Sequence, residues 1–462
     1  MIVLGGGPGG QKAAVQASKT GARVLLVERE QSVGGECVHR GTIPSKTLRH
    51  SAMVFLRWMH EFERHDERAR CDTALAALMR RQSAVTKGHE EYMSRQMVRN
   101  KIEVWRGQAS FSSEHEVEVR GIDGVRRPVR GDFIVIATGS RPRTPPNVPV
   151  DHENILDSDS ILSLRYLPES VTVLGAGVIA SEFASFFAAL GVKVVMVDKG
   201  ERPLAFLDAE ITERFVREFE ALGGTFLGKR GLKAVEFDGV SSVVTELESG
   251  ETLRSAKVLC AMGRTAQVGG LNLAKAGLAV NARGVIDVDE HCRTIVPHIY
   301  AVGDVIGPPA LAATSMEQGR RAARHAFGLP NQQVSSTTPV GIYTIPEMAA
   351  VGMSELEVRA KHGAAMIGRA RFGELARGLI NGDSNGLIKL VCDAQGRKLL
   401  GAQIIGDGAT ELIHVAQMAL TANQDIDVFL DNIFNFPTFA EGYLIAALDV
   451  LEQRNALPAQ AA

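Results

Sequence analysis

The feature that most constrains this chain is a turn that occurs twice. Gly5-Gly6-Gly7-Pro8-Gly9-Gly10 follows the aliphatic run Ile2-Val3-Leu4, and Gly175-Ala176-Gly177-Val178-Ile179-Ala180 follows Val171-Thr172-Val173-Leu174. Each turn leads into an alanine-rich helical stretch and then a second strand, Arg23–Val27 in one copy and Lys193–Val197 in the other. In both copies an acidic residue, Glu28 or Asp198, closes that second strand 23 positions after the first glycine. Strand, glycine turn, helix and acid-terminated strand make a parallel βαβ unit suited to a pyrophosphate. Backbone N–H groups reach the phosphate where a side chain would intrude, and the helix N-terminus stabilises its charge. Two dinucleotide sites are therefore expected.

In the first copy Gly5, Gly7 and Gly10 fill the three small-residue places, and Glu28 is placed to accept hydrogen bonds from the ribose hydroxyls of an adenosine half. In the second copy Gly175, Gly177 and Ala180 repeat the pattern. There Asp198 suits a free 2′-hydroxyl and repels a 2′-phosphate, while Lys199 and Arg202 follow closely enough to neutralise one. NAD is favoured and NADP stays open.

A chain of 462 residues exceeds a single core, so two or three domains are expected. A net charge of -2 supplies no electrostatic footprint for nucleic acid or for an anionic membrane surface. The most apolar stretch, Phe186–Val197, carries Lys193, so no bilayer-spanning segment is expected. The five cysteines, Cys37, Cys71, Cys260, Cys292 and Cys392, are odd in number and irregular in spacing, which argues against a disulfide framework or a zinc site. The twelve histidines show no ligand spacing, so no metal is expected. Met1 leads at once into a strand without a basic and apolar leader, which points to the cytoplasm. Only three residues separate Met1 from Gly5, so either the first strand is short or the start lies upstream.

Between the two units the pattern predicts helices over roughly Ser45–Glu63 and Thr73–Asn100, a polar β-rich stretch Ile102–Val119, and a strand Phe133–Ala137. The proline-rich crossing Arg141–Pro149 reads as an interdomain linker. Farther on, Ile299–Asp304 is a strand ending in Gly303-Asp304, followed by a helix from about Ala313 to Phe327 that Gly328 and Pro330 stop. From about Ser335 the pattern becomes a mixed α+β unit, with strands Leu387–Val391 and Leu399–Ile405 and then two amphipathic helices. The tail Ala456–Ala462 is expected to fray.

The segment from Gly34 to Lys46, Gly-Gly-Glu-Cys-Val-His-Arg-Gly-Thr-Ile-Pro-Ser-Lys, resembles the active-site segment of the FAD-dependent pyridine nucleotide-disulphide oxidoreductases. Ala137-Thr138-Gly139, Gly263-Arg264, Ala301-Val302-Gly303-Asp304 and the ending Phe436–Glu441 fall in that family's order. The resemblance implies an α/β fold with two Rossmann-like three-layer domains and a C-terminal α+β dimerisation domain. Its boundaries would be 1–149 with 270–334 for FAD, 150–269 for NAD(P), and 335–462 for the interface of a homodimer that can assemble further. It adds Gly35, Cys37, Thr42, Lys46, Thr138, Gly139, Gly303, Asp304 and Ala312 to the FAD site, and Glu182 and Gly263 to the NAD(P) site. It also implies that Lys46, paired with Glu182, orients the hydride-transfer edge, and that Cys37 lies beside the flavin ring without being essential.

The departures carry the functional reading. Disulphide-reducing members have a second cysteine five positions after the first, where this chain has Thr42, and a histidine before the C-terminal Pro-Thr, where it has Phe436. Thiol–disulphide exchange needs a thiolate, a second sulfur and a proton carrier. Two of the three are missing. The Gly-Thr-Ile-Pro-Ser-Lys segment and the ending around Phe436 resemble instead the soluble pyridine nucleotide transhydrogenase branch, which implies reversible hydride transfer between NADPH and NAD by a ping-pong route through FAD. Other readings stand beside it: an NAD(P)H oxidase or diaphorase, or a reductase resembling dihydrolipoamide dehydrogenase but lacking the redox disulphide, and, from another class, a non-catalytic flavoprotein that senses nicotinamide redox state.

Overall fold

The computed structural model describes residues 1–61, 68–330 and 337–456, with side chains omitted for residues 58–74. Its chain separates into two compact units. The first comprises Met1–Pro145, Leu156–Leu167 and Met262–Gln333; the second comprises Pro146–Ile155, Pro168–Ala261 and Val334–Ala462. The boundary anticipated at Ser335 and the tail beyond Ala456 lie outside the described residues.

The first unit is built on a seven-stranded sheet in the order Ile299–Ala301, Ile134–Ile136, Ile2–Leu4, Leu25–Glu28, Glu103–Phe111, Glu116–Gly121 and Arg126–Arg130. The first five strands run parallel and the last two return antiparallel. Four of the parallel strands, Ile299–Ala301, Ile134–Ile136, Ile2–Leu4 and Leu25–Glu28, are short and buried throughout, as strands covered on both faces must be. Val3, Leu26 and Val135 pack on one face and Leu4, Val27 and Ile136 on the other. Replacing Leu26 by Ala at such a site costs about 2–5 kcal/mol.

Helices Pro8–Ser18 and Ala312–Ala326 cover one face. They approach so closely that a Cβ at Gly319 would stand 2.0 Å from the Gly9 carbonyl oxygen. Two further helices, Thr42–Glu61 and Arg68–Arg99, pack against each other. The first begins three residues before the sequence suggested, because Pro44 is accommodated in a first turn, where its missing N–H has no partner to lose. The expected linker also differs. Its first two residues, Arg141 and Pro142, belong to the strand Ser140–Pro142, which pairs antiparallel with Arg264–Ala266 in a two-stranded ribbon whose edge tolerates a proline.

In the second unit a parallel sheet runs Thr225–Leu227, Lys193–Val197, Ser170–Leu174 and Lys257–Cys260, flanked by a three-stranded antiparallel sheet between Leu232 and Ser255. The C-terminal part is a five-stranded antiparallel sheet, Val340–Ile342, Met348–Gly352, Leu399–Ile405, Leu387–Cys392 and Met366–Arg371. Helices Ala409–Thr421 and Gly442–Asn455 close its core around Phe372, Ile404 and the fully buried Tyr443. The Tyr443 hydroxyl donates to the Leu412 carbonyl at 2.6 Å, which satisfies a polar tip inside an apolar cluster. No described helix is long and apolar enough to cross a membrane.

Candidate functional site

The two glycine turns have nearly superimposable geometry. Gly5 adopts φ 105° and Gly175 φ 104°, a region open to glycine, and the helix-leading Gly7 and Gly177 sit at φ −72° and −78°. Gly5 N–H donates to the Val27 carbonyl and Gly175 N–H to the Val197 carbonyl, both at 2.8 Å. Gly10 is required by packing: a Cβ there would lie 1.9 Å from the Gly5 carbonyl oxygen. Gly177 is different, because no atom lies within 4 Å of a Cβ built on it. Packing therefore leaves room beside that turn, as close approach of a pyrophosphate requires.

The terminal acids hold these turns. Glu28 Oε2 accepts from Gly6 N at 2.7 Å and its Oε1 from Glu30 N at 2.9 Å. Asp198 Oδ2 accepts from Ala176 N at 3.0 Å and its Oδ1 from Gly200 N at 2.6 Å. Each carboxylate thus braces its own turn while standing at the strand end where a ribose would lie. Helices Pro8–Ser18, Val178–Ala189 and Ala312–Ala326 begin at Gly7, Gly177 and Leu311 without a side-chain cap. Helices Ala209–Ala221 and Glu355–His362, by contrast, are capped by Asp208 and Ser354. The three uncapped helix ends keep first-turn N–H groups for an anion.

The residues of the first unit fit FAD. Thr138 Oγ1 is buried without a hydrogen-bond partner next to Gly139, whose φ is +71° and whose Cα faces open space. Gly35, at φ +60°, would bring a Cβ to 2.7 Å from the Cα of Gly7, so the active-site segment can lie against the glycine turn only as glycine. Asp304, just after Gly303 at φ +77°, accepts from Ser140 Oγ at 2.5 Å. Ser140 is held in turn by Arg264, whose Nε donates to its Oγ at 2.7 Å and whose Nη2 donates to its carbonyl at 2.9 Å. The same Nη2 reaches Glu36 Oε2 at 3.7 Å, one residue from Cys37. Ser140 and the role of Arg264 were missed from sequence, and the neighbouring Ala137-Thr138-Gly139 and Gly263 motifs were the available signal.

Cys37 lies in the short helix Gly35–His39 and is partly buried. Burial pushes its thiol upward and nearby Asp304 adds to that, against a hydrogen bond from Thr42 and the charge of Lys46. A thiol so raised is protonated at neutral pH and weakly nucleophilic. Thr42, five positions after Cys37, sets a hydroxyl where disulphide-reducing members have their second cysteine. Cys37, Cys260, Cys292 and Cys392, the cysteines whose side chains are described, are free, and among the described residues no cluster of His, Cys, Asp and Glu is fit to hold a metal. Lys46 Nζ lies 3.4 Å from Ser45 Oγ, and Ala312 opens the helix that follows Asp304.

In the second unit Glu182 is buried on helix Val178–Ala189. Its Oε1 accepts from the backbone N–H of Tyr343 at 2.9 Å, and Ser185 Oγ accepts from Ile345 N at 3.0 Å. The C-terminal segment Tyr343–Ile345 is thereby docked on the helix that follows the second glycine turn, an arrangement no local pattern announces. Ala180 is fully buried, Gly263 takes φ +102°, and Lys199 is exposed. Arg202 is turned into its own loop: Nη1 donates to the Leu207 carbonyl and Thr212 Oγ1, and Nη2 to the Ala205 carbonyl.

Comparison with known proteins gives a consistent picture. Residues 1–319 match the family described as pyridine nucleotide-disulphide oxidoreductase, and residues 338–447 match its dimerisation domain. The chain is 44% identical over 462 residues to a soluble pyridine nucleotide transhydrogenase of Mycobacterium bovis, covering 99% of this chain and 98% of that one. It is 38% identical over 456 residues to the protein of that name from Hahella chejuensis, covering 98% of each. Among solved structures, the HOCl-induced flavoprotein disulfide reductase RclA of Escherichia coli, as its Cu(II) complex, superimposes with a TM-score of 0.87 at 26% identity over 97% of this chain and 98% of that one. LpdA of Mycobacterium tuberculosis does so with a TM-score of 0.88 at 25% identity, over 97% and 98%.

Proposed function

This chain belongs to the pyridine nucleotide-disulphide oxidoreductase family, and from that premise we propose that it is an FAD-dependent enzyme that transfers hydride reversibly between NADPH and NAD. FAD, when bound, supplies the acceptor and donor of the hydride. The observation that carries the reading is Thr42: its hydroxyl occupies the second-sulfur place against Cys37, whose own thiol is held protonated by burial. With no sulfur pair among the described side chains to pass electrons onward, hydride taken from one nicotinamide is returned to another.

The residues divide the work. Gly5, Gly7, Gly10 and Glu28 form the pyrophosphate and ribose end of the FAD site, with Gly35, Thr138, Gly139, Gly303, Asp304 and Ala312 along the rest of the cofactor. Gly175, Gly177, Ala180, Asp198 and Gly263 take the nicotinamide dinucleotide. Lys46 and Glu182 are assigned to hydride positioning. Arg202, committed to its loop carbonyls, shapes the adenosine end, and Lys199 is left as the residue to meet a 2′-phosphate.

The family's dimerisation domain over 338–447 supports a homodimer. Ile433, 100% exposed, and Phe436, 72% exposed, are apolar groups of that region that a partner subunit would cover. We place the enzyme in the cytoplasm, where both nicotinamide pools are found. The decisive assay is reduction of a thio-NAD analogue by NADPH without added thiol or quinone. Turnover is expected, and its absence from protein that holds FAD would end the proposal.

A further inference from the structure

We infer that Lys389, a residue of the C-terminal sheet, is a positioning residue for the nicotinamide dinucleotide site: it anchors Asp208 and so fixes the loop that braces the second glycine turn. The inference rests on the second unit being the nicotinamide site. It concerns only residues within that unit.

The loop runs from Asp198 to Asp208. Within it Leu204 is 2% exposed and adopts φ 49°, the left-handed region that a leucine enters only at an energetic cost. Its N–H donates to the Ala176 carbonyl at 2.9 Å, in the middle of the glycine turn. A strained residue that touches the phosphate-binding backbone must be over-determined by what surrounds it. Arg202 supplies part of that, gathering the Leu207 carbonyl at 2.9 Å and Thr212 Oγ1 at 2.8 Å and so tying the loop to the helix that follows.

The far end of the loop is held from outside the nucleotide-binding domain. Asp208 caps helix Ala209–Ala221 through Glu210 N at 3.0 Å, and the same Oδ1 accepts from Lys389 Nζ at 2.9 Å. Asp208 Oδ2 accepts from Glu355 N at 3.2 Å. Lys389, on strand Leu387–Cys392 with its side chain 2% exposed, also meets Glu355 Oε2 at 2.8 Å and Glu210 Oε2 at 3.1 Å. Arg369 joins Glu210 at 3.0 Å. A cation so thoroughly desolvated is held in one place by its three carboxylates, and a group that loses it is left as uncompensated buried charge. Burial alone would lower the Lys389 ammonium, but the bonds to Glu355 and Asp208 outweigh it and hold it charged. The chain of contacts thus runs from Lys389 through Asp208, the loop and Leu204 to Ala176.

The test is direct binding of NAD and of NADP to oxidised holoenzyme by calorimetry, with flavin content and unfolding temperature measured beside it. Lys389→Met matches the stem of lysine without its charge, whereas Lys389→Arg keeps the charge and alters the shape. A positioning role predicts that Met raises both dissociation constants by roughly tenfold, while Arg stays nearer wild type. A role in packing alone predicts the reverse order. Should Lys389→Met not fold, Asp208→Asn, which still caps a helix but has one acceptor oxygen and so cannot hold Lys389 Nζ and Glu355 N together, is expected to weaken both ligands. Unchanged dissociation constants in folded Lys389→Met or Asp208→Asn overturn the inference alone. A wild-type holoenzyme that binds neither nucleotide overturns the assignment of the site with it.

Discussion

Glu28 and Asp198 make the same pair of hydrogen bonds in two different domains: each takes the N–H after its first turn glycine on one oxygen and the N–H two residues further along its own chain on the other. The acids therefore have a structural duty that is met before any ribose arrives. A carboxylate braced in this way keeps its orientation, so little ordering remains to be done when a ligand binds.

That geometry separates the two sites experimentally. Asp198→Asn retains a carbonyl oxygen for one of the two backbone donors but removes the negative charge facing a 2′-phosphate. The ratio of kcat/KM for NADP(H) over NAD(H) is expected to rise by about tenfold, or roughly 1.4 kcal/mol, with FAD content unchanged. Glu28→Ala should instead release FAD, read as loss of flavin absorbance after gel filtration. If Asp198→Asn left the ratio where it was, Asp198 would not be facing the phosphate position.

Gly177 allows a sharper test of where the dinucleotide lies. A Cβ at this position meets nothing within 4 Å and its φ of −78° suits alanine, so Gly177→Ala should fold and hold FAD as the wild type does. The added methyl would occupy the space a pyrophosphate needs. We expect KM for both nicotinamide nucleotides to rise by roughly tenfold or more, the signature of lost binding without lost stability. Gly10→Ala makes the contrast: its Cβ would stand 1.9 Å from the Gly5 carbonyl oxygen, so this variant should lose FAD and fold poorly.

Local chemistry made much of this legible from sequence. Glycine turns, terminal acids and the helices after them obey short-range rules, and they appear where the spacing put them. Lys389 shows where such rules stop. In the strand Leu-Ile-Lys-Leu-Val-Cys it reads as an outward lysine, and only the fold brings Asp208, Glu210 and Glu355 to it. The docking of Tyr343 on Glu182 and the bracing of Ser140 by Arg264 are equally non-local, joining residues more than a hundred positions apart. Arg202 marks a subtler limit. Its charge was visible, but the carbonyls that consume it belong to a loop conformation that composition does not encode.

Asp159 gives the first unit a pH response near neutrality. Burial, reinforced by Glu36, pushes its carboxyl from 3.8 up to about 6, while Arg264 pulls the other way. An acid whose folded value is raised favours the folded state fully at pH below 3.8 and loses that contribution as pH rises through about 6. After discounting for partial exposure the loss is about 1–2 kcal/mol. Asp159→Asn should therefore be more stable than wild type at pH 8 and little different at pH 4, measured by urea unfolding. A wild type and variant with parallel stability curves from pH 4 to 8 would falsify the assignment.

Thr42 offers the most direct check on the chemistry. Its side chain is near enough to Cys37 to pull the thiol downward against burial, so Thr42→Cys should bring a second sulfur beside the first on neighbouring turns of chain. Unreduced Thr42→Cys protein, unfolded and titrated for thiols, should yield two fewer than the same protein after dithiothreitol. Anaerobic titration with NADPH should then consume two equivalents per subunit, one for the flavin and one for the disulfide, where wild type consumes one. Cys37→Ser, by contrast, should keep transhydrogenation within roughly threefold, under 1 kcal/mol of barrier. A collapse of activity in Cys37→Ser would mean that sulfur takes part in the reaction after all.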